Sequence, residues 1–154
     1  MTDLAIFAAG CFWGIEEKLL STKGVIDTEV GYIGGITENP TYYDVCRGDT
    51  EHAEAVRIKF DKKQISYKEL VTLFFKMHDP TTLNRQGPDV GTQYRSEIFC
   101  LNEDQYVIAD MVKRDLNNSY FDGSIVTSIS MAGKFWIAEE YHQKYIRKKK
   151  NMIL

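Results

Sequence analysis

Cysteine, proline and charge imbalance are all scarce in this 154-residue chain, and each scarcity removes a class of protein. The three cysteines, Cys11, Cys46 and Cys100, are too few and too far apart for a secreted disulfide scaffold, and an odd number leaves one thiol free. No Cys-x-x-Cys occurs, so neither a thioredoxin-type site nor a zinc knuckle can be built, and no metal is expected. With 19 Lys and Arg against 22 Asp and Glu, the formal charge of −3 is too balanced to suggest a nucleic-acid partner. A run of about 18 apolar residues is missing, as is a basic segment ahead of an apolar one at Met1-Thr2-Asp3-Leu4, so no membrane span or secretory signal is read. The expectation is a cytoplasmic protein in a reducing compartment. The three prolines form no linker, and no repeat or low-complexity run divides the chain, which reads as a single domain, 1–154. The one charge cluster, Arg147 to Lys150, reads as a solvated helix end.

What is present is a core: 44% of the residues are apolar and 12% aromatic. Leu4 to Ala9 is an apolar run ending at Gly10, followed by helical spacing of Ile15, Leu19 and Leu20 among charged residues, giving strand, tight turn and helix. Val25 to Ile33 and Ala53 to Phe60 read as further strands. Ser66-x-x-Glu69 is a capping box with Ile65 and Leu70 placed as a hydrophobic staple, and Leu70, Leu73, Phe74 and Met77 share one face of the helix it opens. Tyr94 to Leu101 is expected as a strand, Glu103 to Asn117 as a helix, Ile125 to Met131 as a strand and Ala138 to Lys149 as a last helix. Two stretches, Gly34 to Thr50 and Asp79 to Gln93, are loops of about 15 residues, longer than a connection needs and therefore expected to be functional. The mixture of hairpin and crossover spacings predicts an α+β fold, a two-layer α/β sandwich on a mixed, mainly antiparallel sheet.

Chemistry concentrates at Gly10-Cys11-Phe12-Trp13-Gly14, where a cysteine stands at the end of a strand and the start of a helix. The unpaired N–H groups and positive dipole end of a helix favour a thiolate, so a lowered pKa and a nucleophile are expected. A small buried hydrophobe closing a strand is the plainer reading of the same residue. Phe12 and Trp13, between glycines, suit a pocket wall as well as a core. In Ala53 to Phe60 alternation puts Glu54 on the face of Val56, Ile58 and Phe60, where burial raises a carboxyl pKa and makes it a general acid. A glutamate turned to water at a frayed strand end is the bland alternative. A cysteine phosphatase is excluded, because Glu17 stands six residues after Cys11, and His52 six after Cys46, where arginine is needed. A cysteine hydrolase using His52, His78 or His142 as base remains the second reading.

These residues carry a resemblance to the peptide methionine-(S)-sulfoxide reductase A family. Gly10 to Gly14 resembles its active-site motif, and Asn39-Pro40-Thr41-Tyr42-Tyr43-Asp44-Val45-Cys46 its next signature. The likeness continues through His52-Ala53-Glu54, His78-Asp79-Pro80-Thr81, Arg85-Gln86-Gly87, Gly91 to Ser96 and Ala138 to Gln143, covering nearly the whole chain. The resemblance implies a ferredoxin-like core and reduction of methionine-(S)-sulfoxide, free or in proteins. It makes Cys11 the nucleophile, Glu54 the proton donor, Tyr42 and Tyr94 holders of the sulfoxide oxygen, Phe12 and Trp13 the pocket for the S-methyl group, and Asp89 the residue orienting the polar end. It implies no cofactor beyond an external thiol such as thioredoxin, glutaredoxin or glutathione, and a monomer. Two departures stand out: Glu51 occupies a position where the family usually has glycine, and no cysteine follows Cys100, so the tail thiols that recycle many members are missing. Cys46 is then the internal candidate for a resolving cysteine, and direct reduction of a Cys11 sulfenic acid by an outside thiol is the expected route.

Overall fold

The structure, a computed structural model, describes residues 1–153. Strands β1 (Thr2–Ala9), β2 (Val25–Ile33), β3 (Ala53–Asp61) and β6 (Ser96–Cys100) form the centre of a sheet, with α1 (Phe12–Leu20) after β1 and α3 (Tyr67–Met77) after β3. Their spatial order, β6-β1-β3-β2, with every neighbouring pair antiparallel, is the split βαβ arrangement of a ferredoxin-like core. Two short strands extend it: β7 (Ser128–Met131) lies parallel to β6, and β8 (Trp136–Ile137) antiparallel to β2. The sheet is therefore mixed and mainly antiparallel, as the residue pattern implied.

Alternation decides what each face does. Ala5, Phe7 and Ala9 of β1 and Val56, Ile58 and Phe60 of β3 join Leu19, Leu70, Val71 and Phe74 in the main core beneath the helices. Ile6, Ala8, Ala53 and Ala55 point the other way and are covered with Ile33, Phe99 and Phe135 in a smaller cluster. The rings of Phe7 and Phe74 stack at 5.4 Å and are fully buried, each contributing about 3 kcal/mol of burial. The capping box of α3 is formed in both directions: Glu69 N–H donates to Ser66 Oγ (3.0 Å) and Ser66 N–H to Glu69 Oε1 (3.1 Å).

Six stretches depart from the sequence reading. Inside the supposed loop Gly34 to Thr50, a five-residue helix, α2 (Tyr42–Cys46), is opened by a Thr41/Asp44 capping box; its length is below what periodicity can register. Inside Asp79 to Gln93, β4 (Arg85–Gln86) and β5 (Asp89–Val90) form a hairpin. Tyr94 closes a 3₁₀ turn ahead of β6 rather than opening the strand, and Val126, expected in β7, instead donates its N–H to Pro80 O (2.8 Å). The last expected helix is broken: β8 is followed by a 3₁₀ turn at Glu140–His142, and α5 (Tyr145–Ile153) begins only after Lys144, whose φ is +51°. Helix α4 (Glu103–Ser119) runs two residues beyond its expected end.

The helix termini and strand ends bring one end of the sheet into focus, where β1 and β2 finish and β3 and β6 begin. Glu51, just before β3, has φ +61°, the left-handed region, and is exposed. A left-handed backbone costs a residue with a Cβ about 1–2 kcal/mol, while glycine forfeits about 0.5–1 kcal/mol of chain entropy. Glu51→Gly should therefore stabilise the fold by about 0.5–1 kcal/mol and raise Tm by roughly 2–4 °C per kcal/mol, read by thermal unfolding.

Candidate active site

Cys11 is the N-cap of α1, immediately after Gly10, whose φ is +98°. A Cβ at Gly10 would lie 2.8 Å from Gln86 Cγ, so the β4–β5 hairpin presses directly on the turn that presents the thiol. Cys11 is half-buried and its Sγ makes no capping hydrogen bond. Its pKa is raised, against the lowered value expected from the helix terminus. Burial is the chief cause; the carboxylates of Glu54 and Asp89 add to it, and the N–H groups of Trp13 and Gly14 only moderate it. The helix end is outweighed chiefly by burial, with the two acids adding to it.

Glu54 stands on the face expected, 1% exposed. Register pairs it with Tyr32 of β2, placing the carboxyl beneath the first turn of α1, where Phe12 N–H donates to Oε1 at 3.2 Å. Oε2 is buried with no partner. Desolvation pushes the pKa up to about 7, with Asp89 adding to it and the Phe12 N–H opposing it. A carboxyl that is half-protonated at neutral pH, with one oxygen free, has a proton to give. The Glu54 carboxylate raises the cost of a negative charge on Cys11.

Two phenols face this pair. Burial chiefly, then Glu54 and neighbouring groups, push Tyr94 up to about 12, and burial with the Cys46 thiol and Glu54 raises Tyr42 as well. Both stay protonated as hydrogen-bond donors. Cys46, four residues along α2 from Tyr42, turns its thiol toward the Tyr42 hydroxyl; its pKa is raised by burial, Glu54 and Glu139 and lowered by Tyr42. It is thus on a capped helix at the edge of the site and not on a free loop. Cys100 is fully buried in β6, 3.9 Å from Tyr67 Oη, and cannot take part.

Phe12 is 1% exposed, with Tyr32, Tyr42 and His142 rings at 5.8, 6.4 and 5.3 Å. Trp13 is partly exposed, stacks on Tyr145 at 4.0 Å and donates its indole N–H to His142 Nδ1 at 2.9 Å. One ring therefore belongs more to the core and the other more to the mouth. The structure brings Cys11, Glu54, Phe12, Trp13, Tyr42, Tyr94 and Asp89 to one end of the sheet. Sequence reasoning missed Glu139, which accepts from Tyr32 Oη (2.8 Å) and Tyr42 N–H (2.8 Å), and Tyr145. Only the likeness over Ala138 to Gln143 pointed there, because helical spacing concealed a turn.

No histidine serves Cys11 as a base. His52 is held by Gly35 N–H and Thr37 O, His78 by Phe74 O and Ser96 Oγ, and His142 by Trp13. Among the described residues no group of three His, Cys, Asp or Glu is placed to hold a metal.

Comparison with known proteins identifies the family and the fold. The family description "Peptide methionine sulfoxide reductase" matches residues 3–153. The chain belongs to the peptide methionine sulfoxide reductase family. It is 57% identical over 148 residues to the peptide methionine sulfoxide reductase MsrA of Methanosarcina acetivorans, covering 96% of this chain and 79% of that one. A probable peptide methionine sulfoxide reductase of Schizosaccharomyces pombe is 50% identical, over 95% of this chain and 89% of its own. Among solved structures, reduced Mxr1 from Saccharomyces cerevisiae superposes with a TM-score of 0.91 at 36% identity, covering 97% of this chain and 86% of that one. Methionine sulfoxide reductase A of Corynebacterium diphtheriae gives 0.91 at 37%, with 97% and 76% covered. The hydrolase reading finds no support in these relatives or in the histidines.

Glu54 is a stability liability as well as an acid. The folded chain holds its proton up to about pH 7, whereas the unfolded chain releases it near 4.5, so stability falls as pH rises through that window and is level above it. Relative to wild type, Glu54→Gln should gain up to about 3 kcal/mol between pH 4.5 and 8.5, measured by denaturant unfolding at both.

Proposed function

We propose that this chain, as one catalytic domain, reduces methionine-(S)-sulfoxide, free and in proteins, with Cys11 as nucleophile and Glu54 as proton donor. The observation that carries the reading is the Glu54 carboxyl: buried, pushed up to about 7, with Oε2 unpartnered beside a thiol at a helix start. A hydrolase needs a base at that place, whereas departure of a sulfoxide oxygen needs an acid. The Cys11 thiolate attacks the substrate sulfur while Glu54 protonates the oxygen held by Tyr42 and Tyr94. Collapse releases methionine and leaves a sulfenic acid on Cys11, which carries the two oxidising equivalents. One outside thiol condenses with it, releasing water, and a second returns the Cys11 thiol as a disulfide departs. The S-methyl group packs on Phe12 and Trp13, and Asp89 receives the polar end of the substrate.

The family uses thiol reductants, and Mxr1 of yeast has been crystallised in complex with Trx2. We take thioredoxin, or glutaredoxin with glutathione, to act directly on the sulfenic acid, because Cys100 is sealed in β6 and Cys46 lies within an ordered, capped helix against Tyr42. No helix among the described residues is long and apolar enough to cross a membrane. A monomer working in the reducing cytoplasm fits the free thiols.

The reactive form is the pair with one proton, thiolate on Cys11 and acid on Glu54. Below about pH 7 the two groups hold both protons and above the raised pKa of Cys11 they hold none; between these limits they hold one, mainly on the thiol, and the reactive arrangement is the minor form. The profile of kcat/KM should be a bell with its acid limb near 7. Glu54→Gln should lower turnover by roughly 10²- to 10⁴-fold, and should lower the Cys11 pKa, since a repelling charge is gone. Cys11→Ser should abolish reduction, and the R epimer should remain unreduced by the handed site. A dithiothreitol-coupled assay of both epimers reads all of these. A loss under tenfold in Glu54→Gln, or equal consumption of the epimers, contradicts the assignment.

A further inference from the structure

The His142 side chain is fully enclosed and makes one hydrogen bond, to a residue of the substrate mouth. It is 1% exposed, with Tyr42, Tyr141, Phe12 and Trp13 rings at 4.3, 4.2, 5.3 and 5.6 Å. An indole nitrogen can only donate, so the Trp13 bond at 2.9 Å fixes Nδ1 as the bare nitrogen and places the imidazole proton on Nε2. That Nε2–H is buried without a partner. An unsatisfied donor in an aromatic cage is a penalty a hydrophobic ring would avoid, so the imidazole is explained by what its other nitrogen does.

The lever behind it is rigid. His142 N–H donates to Glu139 O (2.9 Å), and Glu139 itself holds Tyr32 Oη and Tyr42 N–H. The Gln143 amide pairs with the backbone of Val30 like a strand neighbour, accepting from N–H (2.8 Å) and donating to O (2.9 Å). Tyr145 stacks on Trp13 with planes 12° apart, a contact that leaves the indole free to slide in its own plane. The bond to His142 is directional and opposes that slide.

We propose that His142 is a positioning residue that locks the Trp13 indole so that the pocket fits a methyl group and rejects larger S-alkyl groups. The inference rests on the proposed role of Trp13 in the methyl pocket. One methylene in a close-fitting apolar pocket is worth about 10- to 200-fold in kcat/KM, so wild type should prefer methionine sulfoxide over ethionine sulfoxide within that range.

The test compares both N-acetylated S-epimer substrates across wild type, His142→Phe, His142→Asn, Trp13→Phe and the Trp13→Phe/His142→Phe double variant. In His142→Phe the methyl-over-ethyl preference should fall about tenfold and KM for the methyl substrate rise, with kcat within about threefold. His142→Asn keeps an acceptor and should restore most of the preference. The double variant should add little to Trp13→Phe. An unchanged preference, an Asn variant no better than Phe, or additive effects would overturn the proposal. Independently of any variant's folding, nitrogen-15 spectra of wild type should show a coupling across the Trp13 Nε1–H to His142 Nδ1 bond, and its absence also overturns it. A wild type that reduces neither substrate would instead refute the proposed function.

Discussion

An uncompensated carboxyl on the apolar face of β3 is the constraint around which this molecule is organised. Most buried acids are neutralised by a cation or by several donors. Glu54 has one N–H, from Phe12, on Oε1 and nothing on Oε2. Its neighbour Asp89 is another acid, which makes the charged form still less favourable. The fold sustains this because the split βαβ core ends β1 and β2 where β3 and β6 begin, so a strand residue, a helix N-cap and two phenols, one opening α2 and one closing a 3₁₀ turn, converge there.

Glu139 shows how environment separates two glutamates in the same region. Hydrogen bonds from Tyr42 N–H and Tyr32 Oη help hold its pKa below the ordinary value, so it is a fixed charge that anchors. Glu54, given fewer donors and deeper burial, becomes a proton source. The same chemical group serves as clamp in one place and acid in the other. The segment from Ala138 to Tyr145 thus acts as a strap: its glutamate ties α2 to β2, its glutamine completes the edge of β2, and its histidine meets Trp13.

Much of this was legible in the residues themselves. Alternation placed Glu54 on the core face of β3, and the Ser66/Glu69 box marked the start of α3, because both signals are local and repeat over many residues. Burial of the mouth was not legible: the Cys11 pKa is raised chiefly by desolvation, with Glu54 and Asp89 from distant segments adding to it, so the helix-terminus argument gave the wrong sign. The break before α5 was hidden for a similar reason. Tyr141, His142 and Tyr145 keep helical spacing, yet the Gln143 bonds to Val30 and the left-handed Lys144 stop the helix. The short α2 and the β4–β5 hairpin carried too few residues for any period, although the Thr41 to Asp44 box was there to be read.

The account stands or falls on Cys11 taking up the oxidising equivalents from the substrate, and one turnover without reductant tests that most directly. Chain treated with a single equivalent of (S)-sulfoxide and quenched with dimedone should yield one methionine, one lost thiol and a dimedone adduct on Cys11, with Cys46 and Cys100 still free. Methionine formed while Cys11 remains an unmodified thiol would contradict the mechanism, and two lost thiols with a Cys11 to Cys46 link would contradict the one-cysteine cycle.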